Sequence, residues 1–130
     1  MTNAFSSPAL ALGFGMFLAL AETARRWGNW PFLPFVLDDW IAGMFLVYGG
    51  VRGERDWATG RPYQAAAWAF ASGMLYMSFF GHLEHWSAPP DAGWVPHGAL
   101  VGIIGLLFGT AVAGLVSTLV RRPAGGGTTS

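Results

Sequence analysis

All three histidines of the chain, His82, His85 and His97, fall in one short stretch of the sequence. His82 and His85 are three residues apart, a spacing that puts two imidazoles on one face of a helix. Neutral imidazole binds divalent ions such as zinc, iron and manganese, and carboxylates commonly complete the ligand set. A metal site is therefore the first chemical hypothesis for this region.

Carboxylates that would complete such a set lie near the ends of two apolar segments. Glu22 follows one apolar segment, and the adjacent Asp38 and Asp39 open the next. Glu22 shares a helical line with Leu18 and Gly15, so we expect it to face other helices. The predicted metal ligands are His82, His85, His97, Glu22, Asp38 and Asp39.

A b-type haem is the alternative cofactor, held by His97 and either His82 or His85. Pro96 and the expected position of these residues near a membrane surface favour the metal ion over the haem. The pattern lacks the HExxH of zinc proteases and the paired Glu-x-x-His of di-iron bundles. No residue is therefore assigned a catalytic role.

Structural roles also account for the carboxylates one by one. Glu22 stands three and four residues before Arg25 and Arg26, an order that favours ion pairs along a helix. Asp38 and Asp39 are expected in the first turns of a helix, where the helix dipole stabilises negative charge. These roles compete with the metal hypothesis and leave it open.

The elements that must position these residues are expected to be transmembrane helices. Of the 130 residues, 53% are hydrophobic and only 11% are charged, whereas roughly 25% charged residues are typical of soluble domains. Four stretches are long and apolar enough to approach the ~20 residues that a span needs. We predict a single all-α domain with helices over about 8–26, 34–51, 62–85 and 95–120, followed by a disordered tail over 121–130.

Short connections between these segments predict antiparallel neighbours, and hence an up-down-up-down four-helix bundle. Arginine is enriched at one end of this bundle, and positive residues are retained in the cytoplasm. The N-terminus, the C-terminus and the tail are therefore expected inside. The arginines expected on that side are Arg52, Arg55, Arg61, Arg121 and Arg122, against Arg25 and Arg26 on the other.

The opposite, outward end then receives most of the polar and aromatic residues. Besides the six predicted ligands it would hold Glu84 and Asp91, so that five of the seven acids and all three histidines share one end. Tryptophan, which favours the membrane interface, supports this placement with Trp27, Trp30, Trp40, Trp86 and Trp94. The absence of lysine beside seven arginines fits a bacterial protein, and the inner membrane is the expected location.

Two further features concern the apolar segments themselves. The first 8 residues carry no lysine or arginine, so we expect the first segment to be a retained helix rather than a cleaved signal. Small residues recur at close spacing on the first helix and on the fourth, a pattern typical of close helix packing within one chain or between copies. They are Ala11, Gly15 and Ala19, and then Gly98, Gly102, Gly105, Gly109 and Ala113.

Three functional hypotheses follow. The leading one is a non-enzymatic accessory subunit or ligand-binding protein whose outward Glu/Asp/His cluster binds a metal ion. The second is a homo-oligomeric, ion- or proton-coupled transporter or channel in which Glu22 and Asp39 bind protons or cations. The third is a membrane-embedded, metal-dependent enzyme. The zero net charge and the lack of a long basic run argue against nucleic acid as a partner, and the lack of cysteine excludes thiolate chemistry.

Overall fold

The computed structural model describes residues 4–28, 34–89 and 95–122. These residues form a short 3₁₀ turn, Ala4–Ser6, and four α-helices, and no strand occurs among them. The helices are α1 (Pro8–Arg25), α2 (Pro34–Arg55), α3 (Trp57–Glu84) and α4 (His97–Val120). The predicted all-helical class and the number of helices are confirmed.

Local signals explain where several of the helices begin. Pro8 occupies the first turn of α1 after Ser7, where a missing N–H costs nothing because it has no helical partner. Asp56 caps α3, since its side chain accepts a hydrogen bond from the Ala58 backbone N–H at 3.1 Å. Gly28, just beyond α1, adopts φ +80°, a conformation that glycine reaches without steric cost.

The four helices pack in chain order, α1 on α2, α2 on α3 and α3 on α4. Contacts across the interfaces pair early residues of one helix with late residues of the next, as in Gly50 with Pro8 and Gly114 with Trp68. Consecutive helices are therefore antiparallel. Trp68, which is fully buried, lies at the centre of the core, and its ring stands 5.1 Å from that of Phe14.

Glycines let α1 and α2 approach until their backbones touch. A Cβ built on Gly43 would stand 2.6 Å from the carbonyl oxygen of Gly15, and one built on Gly15 would overlap the carbonyl oxygen of Gly43. The predicted small-residue stripe on α1 therefore packs against α2. On α4 the stripe is divided, because Gly98 and Gly105 face aromatic rings whereas Gly102 and Gly109 have open space.

Helix boundaries differ from the prediction mainly between α2 and α3. The sequence predicted a connection over 52–61, but only Asp56 separates the two helices. The cap at Asp56 starts α3 five residues before Pro62, which lies inside the helix. At the other end, His85 caps α3 instead of extending it, and α4 begins at His97 rather than at residue 95.

Among the described helices, His97–Val120 alone is long and apolar enough to cross a bilayer by length and composition. The predicted positions of Trp30, Asp91 and Trp94, and most of the predicted 121–130 tail, lie outside the described residues. For the sections below, the end of the bundle with Glu22, His82 and His97 is called the histidine end. The end with Arg52, Arg61 and Arg121 is called the arginine end.

Candidate functional site

A cavity of about 120 Å³ lies near the histidine end, between α1 and α4. Ionisable side chains from three helices line it: Glu22 and Arg25 from α1, Asp39 from α2 and His82 from α3. The predicted residues Glu22, Asp39 and His82 therefore converge on one space. The remaining wall is mostly apolar, formed by Phe17, Leu18, Ala21, Leu75, Leu100, Ile103, Ile104 and Leu107, with Ser78 as a further polar residue.

Glu22 is held in place by two arginines. Its carboxylate accepts hydrogen bonds from Arg25 Nε and Nη2, each at 2.9 Å, and also from Arg26 Nε. Only 8% of Glu22 is exposed, and the two guanidinium groups supply the charged partners that a buried carboxylate requires. The prediction that Glu22 faces inward and the alternative that it pairs with Arg25 or Arg26 are therefore both met.

Asp39 is the acid that remains without a partner in this cavity. Within the described residues its carboxylate forms no hydrogen bond and no ion pair, since both arginines nearby are bonded to Glu22. A carboxylate that is partly buried without a partner is unfavourable unless it takes up a proton or a cation. The Asp39 side chain is thus the strongest candidate in the cavity for binding a proton or a cation.

Asp38 differs from its neighbour although it carries the same charge. It is exposed, it does not line the cavity, and it accepts a hydrogen bond at 2.9 Å from the backbone N–H of Asp39. Neither aspartate lies in the first turn of α2, because the helix already begins at Pro34. The expected placement of the two acids in the first turn is therefore wrong, because they are the fifth and sixth residues of α2.

His82 and His97 contact each other directly, with 2.8 Å between their Nδ1 atoms. His97 Nε2 lies 3.0 Å from the carbonyl oxygen of Pro89, and a carbonyl only accepts, so Nε2 carries a proton. In its neutral form, His97 therefore accepts at Nδ1, and His82 donates from its own Nδ1. The basic nitrogen of the neutral pair is then Nε2 of His82, the histidine that lines the cavity.

This pairing decides which cofactors the histidines fit. Two imidazole nitrogens on one zinc ion stand about 3.3 Å apart, given metal–nitrogen distances of about 2.0–2.1 Å and tetrahedral angles. The two Nδ1 atoms are closer than that, and they leave no room for a haem iron between His82 and His97. A haem between His82 and His97 does not fit, because the tertiary contact joins the two rings instead of separating them. A haem held by His85 and His97 stays a prediction.

The predicted metal ligands are only partly brought together. His85 is exposed, its Nδ1 lies 2.9 Å from the carbonyl oxygen of Gly81, and its ring centroid is 6.3 Å from that of His97. Among the residues that the structure describes, no three histidine or acidic side chains are grouped closely enough to hold one ion. Metal binding by the six-residue set stays a prediction.

A second polar cluster, which the sequence analysis missed, lies at the arginine end. Gln64 is fully buried and donates from Nε2 to the carbonyl oxygen of Ser6 and to Oγ1 of Thr118, both at 3.3 Å. Arg61 Nε donates to the carbonyl oxygen of Thr118 at 3.0 Å, and Arg121 Nη1 donates to that of Ser6 at 3.1 Å. The sequence contains one signal of this cluster, because Gln64 is a lone glutamine beside a run of alanines.

The arginines of this cluster also explain how the end of the bundle is closed. Arg61 bonds the last carbonyls of α4, which have no partner within the helix. The Arg121 guanidinium stands 4.0 Å from the centroid of the Trp57 ring, a cation–π contact. These contacts are structural, because every one of them joins two parts of the chain.

Comparisons with known proteins give no independent guide to this site. No protein-family model, no curated protein and no solved structure matches the chain.

Proposed function

We propose that the chain is a multi-pass protein of the bacterial inner membrane, with both termini in the cytoplasm and the histidine end facing outward. In this proposal it is a non-enzymatic accessory or ligand-binding protein. Its ligand is a cation, either a metal ion or an organic ammonium, which binds to Asp39 in the cavity between α1 and α4. Asp39 carries the proposal, because its carboxylate is without a partner among the described residues.

The membrane location is supported by what the helices expose. Each of the four helices carries a large apolar side chain that is more than half exposed: Leu20 is 64% exposed, Met44 68%, Met77 71% and Leu106 74%. A surface of this kind is unfavourable in water and favourable against lipid. Only 28% of the most apolar part of α4 is buried within the bundle, which leaves the rest of that helix to the lipid.

The surroundings of Asp39 support a cation as the ligand. Glu22 is already neutralised by Arg25 and Arg26, so Asp39 is the available negative charge of the cavity. His82, a member of the histidine pair, lies on the α3 wall of the same space. An oxygen anion with a neighbouring imidazole nitrogen suits both a divalent metal ion and the N–H donors of an ammonium group.

The test measures cation binding to purified protein in detergent, using zinc chloride, manganese chloride and ethanolammonium chloride as probes. We expect at least one of them to raise the thermal unfolding temperature of the wild type. Asp39→Asn should abolish that shift, whereas Asp38→Asn, with the same change of charge one residue away, should retain it. Failure of all three probes to bind the wild type would refute the proposal, as would unchanged binding to Asp39→Asn.

A proton- or ion-coupled transporter or channel is the second candidate, favoured by the histidine pair. His82 and His97 form a hydrogen-bonded pair of imidazoles, groups that can both donate and accept a proton. An exchangeable proton beside an acid in a membrane cavity is typical of coupled transport. Proton or cation flux into liposomes that Glu22→Gln and Asp39→Asn leave unchanged would exclude this candidate.

A further inference from the structure

The cavity at the histidine end lies where the bundle is not closed. The described helices pack in chain order, and α1 and α4 form no comparable interface with each other. The cavity is lined by both of these helices. Two of its apolar residues, Phe17 on α1 and Ile103 on α4, are 49% and 50% exposed, so they mark a lateral opening.

The polar and apolar residues of the cavity lie at different depths. Glu22 lies three residues from the end of α1, Asp39 five residues from the start of α2, and His82 two residues from the end of α3. At 1.5 Å per residue, these ionisable groups lie within about 3–8 Å of the helix ends. The apolar wall extends farther in, to Ile104 and Leu107 on α4.

From this arrangement we propose that the ligand is an amphiphile, a phospholipid with a primary ammonium headgroup, taken from the outer leaflet of the bilayer. The ammonium binds the Asp39 carboxylate, and the acyl chains leave between Phe17 and Ile103. The inference rests on the proposed function, because it specifies which cation Asp39 receives. It adds the class of molecule and the direction from which that molecule enters.

In this proposal Arg25 binds the phosphate of the headgroup. Its Nε and Nη2 are bonded to Glu22 at 2.9 Å, and a guanidinium has five N–H donors in total. The donors on Nη1 remain, and Arg25 lines the same cavity as Asp39. A zwitterion therefore meets a negative group and a positive group in one space, whereas a bare metal ion would meet an unfavourable arginine.

The volume decides how much of the lipid is enclosed. About 120 Å³ is less than the roughly 150 Å³ of an engineered cavity that holds one benzene molecule. Such a space takes a headgroup fragment and the first carbons beyond it, but not two acyl chains. The chains must therefore lie outside, against the exposed apolar surface beside the opening.

The experiment measures lipid retention by native mass spectrometry, with protein released from nanodiscs that contain equal amounts of phosphatidylethanolamine, phosphatidylglycerol and phosphatidylcholine. We expect preferential retention of phosphatidylethanolamine, because phosphatidylglycerol lacks the cation and phosphatidylcholine lacks the N–H donors. Asp39→Asn should reduce that preference about tenfold or more, as expected for a lost charge-assisted hydrogen bond. Asp38→Asn should leave it unchanged.

A second variant guards against loss of folding in Asp39→Asn. Ile103→Trp adds bulk at an exposed position on the opening, and it should lower phosphatidylethanolamine retention at least threefold with an unchanged unfolding temperature. Equal retention of the three lipids by the wild type would overturn the inference. So would undiminished phosphatidylethanolamine retention by a folded Asp39→Asn protein.

Two further measurements complete the test. One distinguishes a ligand from the bilayer from a ligand in the aqueous phase, and the other distinguishes failure of the phospholipid inference from failure of the cation site. If soluble glycerophosphoethanolamine competes as strongly as the lipid, the ligand comes from the aqueous phase and the bilayer source is wrong. If ethanolammonium chloride binds through Asp39 but the lipids are not discriminated, the cation site stands and the phospholipid inference fails. If neither binds, both fail.

Discussion

At the scale of single residues, the histidine end is organised by which charges already have partners. Glu22 has two arginines, whereas Asp39 on the next helix has no bonded partner among the described residues. Asp38 is beside Asp39 in sequence, but it is exposed and does not line the cavity. Three acids of similar chemistry are therefore a structural anchor, the proposed binding group and a surface residue.

The anchoring role of Glu22 predicts a loss of stability on neutralisation. Glu22→Gln keeps the shape of the side chain but removes the charge that binds Arg25 and Arg26, so we expect the free energy of unfolding to fall by about 1–3 kcal/mol. Unfolding in detergent measured by circular dichroism tests this. Asp38→Asn is the control, expected within about 0.5 kcal/mol of the wild type; equal stability of all three proteins would contradict the anchoring role.

The histidine pair predicts a definite arrangement of protons. When both imidazoles are neutral, His97 should carry its proton on Nε2 and His82 should carry its proton on Nδ1. The acceptors of these two N–H groups are the Pro89 carbonyl oxygen and His97 Nδ1. Nitrogen-15 chemical shifts of labelled histidine distinguish the tautomers, and a coupling across the two Nδ1 atoms would report the bond itself. Finding His97 protonated on Nδ1 alone would show that the pairing is wrong.

At the scale of the helices, the sequence predicted the number of helices better than it predicted the residues at which they begin and end. Long apolar segments separated by polar residues are sufficient to predict four helices. The start of α3 is set by a local cap at Asp56, and Pro62 lies inside the helix. Hydropathy does not detect such a cap, so the pattern placed the start at Pro62. The contact of His82 with His97 depends on how α3 and α4 dock, so spacing within one helix could suggest the residues but not their pairing.

The α1–α2 interface gives a prediction at this scale. Gly15→Val places side-chain atoms against the Gly43 carbonyl and should destabilise the protein by about 1–3 kcal/mol, the usual effect of overpacking. Gly13→Ala, on the same helix but with open space around its Cβ, should raise stability by about 0.5–1 kcal/mol through helix propensity. Similar unfolding temperatures for the two variants would contradict the close helix approach.

At the scale of the whole molecule, the proposed orientation determines which end faces the outside of the cell. The chain contains no cysteine, so single cysteines can be introduced without background. With the histidine end outward, a membrane-impermeant maleimide should label Ser87→Cys in intact cells and label Glu54→Cys only after permeabilisation. Both positions are exposed. Labelling of Glu54→Cys alone in intact cells would reverse the orientation.

The chain-order packing of the helices bears on how the protein is made. Each helix finds its partner in the helix synthesised just before it, so the bundle can assemble during translation with few long-range searches, and low contact order favours rapid folding. The bond from Arg121 to the Ser6 carbonyl joins residues near the two extremes of the chain, so it forms only after α4 has been synthesised. The Ser6 carbonyl can therefore accept its bond from Gln64 once α3 is made, and it accepts its bond from Arg121 only when all four helices are present.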